Sequence, residues 1–160
     1  CAILGPAAES AVGAGAGGPY DVLKINGSSG NGNRVNVAIG APITIHVAQP
    51  PSSSVPSSFV MYGFVGVPVA ADTFTLPIGL GDMAFTPCPF APANSQLFVL
   101  ANSLQAPGCA EMIGATPAPW TFVVPGGLPF AASFALQGVI IDTSATFGLA
   151  KTNGVLIVVD

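Results

Sequence analysis

From Tyr20 onward, apolar and polar positions alternate along the chain with a period of two. Val35, Val37 and Ile39 alternate with Arg34, Asn36 and Ala38, and Ile43, Ile45 and Val47 alternate with Thr44, His46 and Ala48. A period of two puts one side of the segment in the core and the other in solvent, which is the signature of a half-buried strand. Gly40-Ala41-Pro42 separates these two runs, so they read as two strands joined by a short turn. Residues 22–25 form an earlier strand, followed by Asn26-Gly27 and a loop rich in turn residues. Residues 59–65 are apolar on both faces, as a central strand requires. Shorter strands are expected at 74–76, 83–85, 97–100 and 120–124, and longer ones at 134–141 and 155–159.

Helical periodicity is weak throughout, because 16 Pro and 20 Gly punctuate the chain. One short helical turn fits at 102–105. About nine or ten short strands with Gly/Pro turns imply an all-β fold, a single β-sandwich or jelly-roll-like domain spanning residues 20–160. Residues 1–19 stand apart as an extended N-terminal arm rich in Ala and Gly. Such a segment is flexible in isolation and needs a groove, a sheet edge or another subunit to hold it. Residues 50–58 carry Pro and Ser throughout and read as an exposed loop.

Composition sharpens the picture. Hydrophobic residues make up 51% of the 160 residues, ample for a core, while charged residues make up only 6%. Ordinary soluble domains carry about 25%. A surface so poor in charge has little electrostatic repulsion to keep copies apart, which points to self-association. Lys24, Arg34 and Lys151 are the only basic side chains, and the net charge is −4. That excludes nucleic-acid binding, which needs several cations against phosphate, and disfavours an anionic membrane surface. No apolar run reaches the roughly 18 residues of a membrane-spanning helix. The longest, 59–71, is broken by Gly63, Gly66 and Pro68.

Cys88 and Cys109 lie 21 positions apart in Pro/Gly-rich stretches. A disulfide between them is expected, contributing about 3 kcal/mol in the chain-entropy picture and fitting an oxidising compartment. Cys1 is then left for a lipid anchor, an intermolecular bridge or a free thiol. A first residue of Cys rather than Met is expected of a processed chain or a fragment of a longer one.

The catalytic inventory is thin. His46 is the single histidine and falls on the polar face of a strand, and no Gly-x-Ser-x-Gly elbow occurs. Gly13-x-Gly15-x-x-Gly18 matches a dinucleotide fingerprint in letters only, since no strand precedes it and Pro19 follows. Asp72 and Asp82 flank one loop, where they would share a Ca²⁺ with backbone carbonyls or stand solvated. No other cofactor is expected. Trp120 is either a sugar-stacking platform or a core plug near a strand start. Asn26-Gly27-Ser28 is a glycosylation sequon.

The stretch Phe134-Ala135-Leu136-Gln137-Gly138, followed by Thr152-Asn153-Gly154-Val155, resembles the ending of many uncharacterised exported bacterial proteins. Those end in a glutamine-containing strand, a short loop and a closing strand. The resemblance implies an exported, β-rich domain and brings no catalytic or binding residues.

The expected function is that of a non-enzymatic structural subunit of an extracellular assembly: a filament, sheath or surface coat. Its partners are copies of itself, joined through the 1–19 arm with Ile3 and Leu4 as anchors. The alternative is a monomeric extracellular module binding cell-surface glycans through loop aromatics and acids.

Overall fold

The computed structural model describes residues 20–160 except 31–32, 52, 77–79, 89, 91–95, 107–109 and 146. It is all-β. Twelve strands follow one another: β1 (Leu23–Ile25), β2 (Arg34–Val37), β3 (Ile43–Val47), β4 (Phe59–Val65), β5 (Phe74–Leu76), β6 (Gly81–Met83), β7 (Leu97–Asn102), β8 (Glu111–Ile113), β9 (Trp120–Val124), β10 (Ala132–Ile141), β11 (Leu149–Lys151) and β12 (Val155–Val159). The count exceeds the nine or ten expected, because β8 and β11 are three-residue strands without visible alternation. A 3-10 turn, Ala70–Asp72, precedes β5.

Three layers result. The central sheet has seven strands in the order β2-β12-β10-β4-β7-β8, with β11 also paired to β10. The second sheet has the order β1-β3-β9 and packs on one face of the first. The β5–β6 hairpin and the segment through Phe85 cover the other face. The expected sandwich therefore carries an added layer.

Alternation assigns each residue of the central strands to one of two cores. Phe59 and Met61 of β4, Leu136 and Ile140 of β10, and Val155, Ile157 and Val159 of β12 face the three-stranded sheet. Val60 and Tyr62, Ala135 and Val139, and Leu156 face the hairpin layer. Both sides of β4 and β10 are thus covered, which is why these strands read as unbroken apolar runs.

The Gly40-Ala41-Pro42 break is not a hairpin turn. β2 runs parallel to β12 in the large sheet, whereas β3 lies between β1 and β9 in the small one. The segment is a corner from one layer to the other, held by Gly40 N–H donating to Leu128 O at 2.9 Å. Residues 83–85 also differ from expectation: strand pairing ends at Met83, and Ala84 and Phe85 turn inward as core residues. The helical turn expected at 102–105 is a simple turn, with Ser103 and Leu104 following β7.

Asn26-Gly27 makes the tight turn its sequence announces. Both residues have positive φ (50° and 78°), and Ile25 and Ser28 exchange backbone bonds across it. Within β4, Gly63 is required because a Cβ there would run into the ring of Phe98, its cross-strand neighbour on β7.

Candidate functional site

Several polar side chains are hydrogen-bonded within the fold. Lys24 donates to Asp21 Oδ2 at 2.5 Å and to Ser29 Oγ at 2.7 Å, and Ser29 in turn donates to Asp21. This has the composition of a serine–lysine dyad, but the lysine is ion-paired to a carboxylate. The hydrogen bonds from Lys24 and Ser29 hold the Asp21 carboxyl below its usual range. The cluster ties Asp21 and Lys24 to Ser29 across the Asn26-Gly27 turn.

His46 meets its cross-strand neighbour Thr121, with Nδ1 and Oγ1 2.8 Å apart, on the outer face of the small sheet. Asp72 accepts the Val69 backbone N–H at 2.7 Å, and Asp82 accepts from Thr75 Oγ1 at 2.5 Å. Asp72 and Asp82, expected to share a cation, thus each accept a hydrogen bond from a residue close by in the sequence. Among the described residues, no group of three or more His, Cys, Asp or Glu side chains is placed to hold a metal ion. Trp120 is 8% exposed. Its ring stacks on Phe122 at 6.1 Å and tilts against Phe59 at 5.5 Å. A ring so enclosed packs the interior and offers no open face to a sugar.

A buried polar seam joins the layers. Gln137 of β10 accepts the Ala84 N–H at 2.8 Å and donates to Thr152 O at 3.3 Å, tying the hairpin layer to the sheet. Thr152 Oγ1 accepts the Gly138 N–H at 2.9 Å. The β10–β11 and β10–β12 registers differ by one residue, so the chain bulges at 152–154. The bulge turns Asn153 toward β1, where its amide accepts from Leu23 N (2.8 Å) and donates to Leu23 O (2.9 Å), like a strand residue. Gln137 and Asn153 of the C-terminal motif are therefore cross-layer ties, while Thr152 fastens the bulge to β10. Beside them, Tyr20 donates to Asp142 at 2.5 Å, and Lys151, 2% exposed, donates to Asp82 O at 3.1 Å. Burial pushes the Lys151 ammonium below its ordinary value, against the pull of Asp82.

One opening among the described residues is apolar. β1 sits near the β12 side of the large sheet, where Asn153 holds it. β9 forms the opposite margin of the small sheet and, among the described residues, pairs with β3 alone. The large sheet continues beyond it through β7 and β8. The two inner faces diverge there and enclose a cleft of about 670 Å³. Phe98, Leu100 and Ile113 form one wall and Ile45, Phe122 and Val124 the other. Among the lining residues only Ser133 carries a polar side chain. At the mouth, Met112 is 69% exposed, Phe130 59% and Val65 54%. The cleft is continuous with the main core, since Phe98, Leu100, Ile113 and Phe122 also pack against it.

No sequence argument singled out this cleft. Its faint signal is Met112 and Phe130, large apolar side chains in segments without strong alternation. Cys88 is disulfide-bonded. Cys1 and Cys109, like the arm 1–19 with Ile3 and Leu4, lie outside the described residues, so the Cys88–Cys109 pairing and the arm stay expectations. Comparison with protein-family models and with curated proteins finds no match to this chain.

Proposed function

We propose that this protein is a non-enzymatic structural subunit of a bacterial extracellular assembly, a filament, sheath or surface coat, built by self-association. The observation that carries the reading is an inner face of the large sheet that the other described residues leave partly uncovered: an apolar cleft of about 670 Å³ whose mouth exposes Met112, Phe130 and Val65. Three large apolar side chains at one opening, in a chain with only 6% charged residues, favour burial against another protein surface. The titratable side chains described above are spent on intramolecular bonds, which supports a role resting on shape rather than on chemistry. Export is supported by the Cys88 disulfide.

The test is sedimentation velocity on the full chain from low to high micromolar concentration, with negative-stain imaging of the same samples. Concentration-dependent growth into polymers is expected. A monodisperse monomer across the whole range would sink the reading.

A further inference from the structure

The cleft runs beside a strand with a vacant edge. Among the described residues, β9 hydrogen-bonds to β3 on one side and to no strand on the other. An edge strand next to an apolar trough accepts one more strand, whose backbone pairs along the edge while alternate side chains enter the trough. No charged side chain lines this trough, so the face of an added strand that enters it must be uncharged.

Residues 1–19 meet those demands. Glu9 is their only charged side chain, and Ile3, Leu4 and Val12 are their large aliphatics. The Ala and Gly between them leave room for a backbone entering between two layers. The segment continues from Tyr20, which is pinned to the far side of the large sheet: its N–H donates to Lys151 O at 3.2 Å and its carbonyl accepts from Asn153 N at 2.9 Å. Fully extended, nineteen residues reach about 65 Å. The outer face of the small sheet, which lies between Tyr20 and the cleft, offers an arm folding back on its own chain a mostly polar path: Lys24, His46 and Thr121 form a cross-strand row there, with Val123 exposed beside it.

We infer that residues 1–19 of one copy add as a strand to β9 of a second copy and fill its cleft. The inference rests on the self-association reading and names the contact behind it. Donor and acceptor are different surfaces of the same chain, so the contact is head-to-tail: it builds a filament unless the rotation between copies closes it into a ring. Ile3 and Leu4 are neighbours, and neighbours in a strand point to opposite faces. One of them enters the trough and the other does not.

The experiment measures association of the full chain by sedimentation for three variants: Ile3→Asp, Leu4→Asp and Phe130→Asp. Phe130 is mostly exposed, so its variant folds. One arm variant should weaken association by about 10- to 100-fold, the other by less than about threefold, and Phe130→Asp by at least about tenfold. Mixing the sensitive arm variant with Phe130→Asp leaves one intact donor and one intact acceptor, and should restore dimers but not filaments. Equal effects of both arm variants, no effect of either, or no dimers on mixing would each overturn the inference. If the wild type associates while the arm variants change nothing, self-association stands and the arm contact falls. If the wild type never associates, both fall.

Discussion

Gln137 offers the sharpest test of how the layers are held. Its side chain is buried between the large sheet and the hairpin layer, accepting from Ala84 N at 2.8 Å and donating to Thr152 O at 3.3 Å. Replacing it with Met keeps the length and nearly the volume of the side chain but removes both bonds. Ala84 lies in the buried core, so its N–H is left without a partner. An orphaned buried donor costs about 1–3 kcal/mol, and the lost bond to Thr152 adds about 1. The expected destabilisation of Gln137→Met is therefore about 2–4 kcal/mol, a drop in Tm of roughly 5–12 °C for a domain of this size. Urea denaturation gives the free energy, and amide exchange at Ala84 reports the local break. A second substitution separates hydrogen bonding from packing. In Gln137→Glu the neutral acid can still accept from Ala84 and donate to Thr152, but the carboxylate cannot donate. Burial raises the folded-state pKa of such an acid, so its ionisation opposes folding as pH climbs above the unfolded value near 4.3. Gln137→Glu should thus be most stable in mild acid, relative to wild type, and lose stability toward neutral pH. If Gln137→Met unfolds at the wild-type midpoint, or Gln137→Glu shows no such trend, the amide is not what joins these layers.

Three further outcomes follow from the same structure. Gly63→Val should cost about 3 kcal/mol or more in chemical denaturation, because the new side chain would occupy the place of the Phe98 ring; the double variant with Phe98→Ala should recover part of that loss. Burial raises the Tyr62 pKa, so the phenol stays protonated in the fold at a pH where the unfolded chain has lost its proton. Its contribution is intact below about 10 and lost as pH rises beyond, and Tyr62→Phe should flatten that alkaline decline in Tm. Asp21→Asn removes an exposed ion pair with Lys24 and should change stability by less than about 1 kcal/mol, an effect that vanishes in high salt.

The strands were legible wherever one face is buried and the other is not. Ile43-Thr-Ile-His-Val is a strand in the sequence and in the fold, and its burial alternates without exception. The unbroken apolar runs of β4 and β10 were legible for the opposite reason, that both faces are covered. Pairing partners were not. Nothing in 34–39 and 43–47 says that the first strand seeks β12, more than a hundred residues away, while the second joins β1 and β9. Periodicity reports a strand's faces and is silent about its edges. The same limit hid the cleft. It exists because one sheet has three strands and its partner seven, a mismatch between elements rather than a property of any segment. Trp120 and the loop acids were visible as residue types, but burial and local hydrogen bonds decide what they do, and neither can be read from spacing.

The parallel pairing of β2 with β12 sets an order of events during synthesis. Val37 must wait for Val159, its register partner, before that side of the sheet can close. Until then β2 has no place to go, and β10 lacks β12 along half its length. Loop closure over so long a span is slow, and the waiting chain exposes apolar strands to its surroundings. A chain in which β12 has not yet docked is left with an unclosed sheet, and its docking joins β2 to β10 in one step.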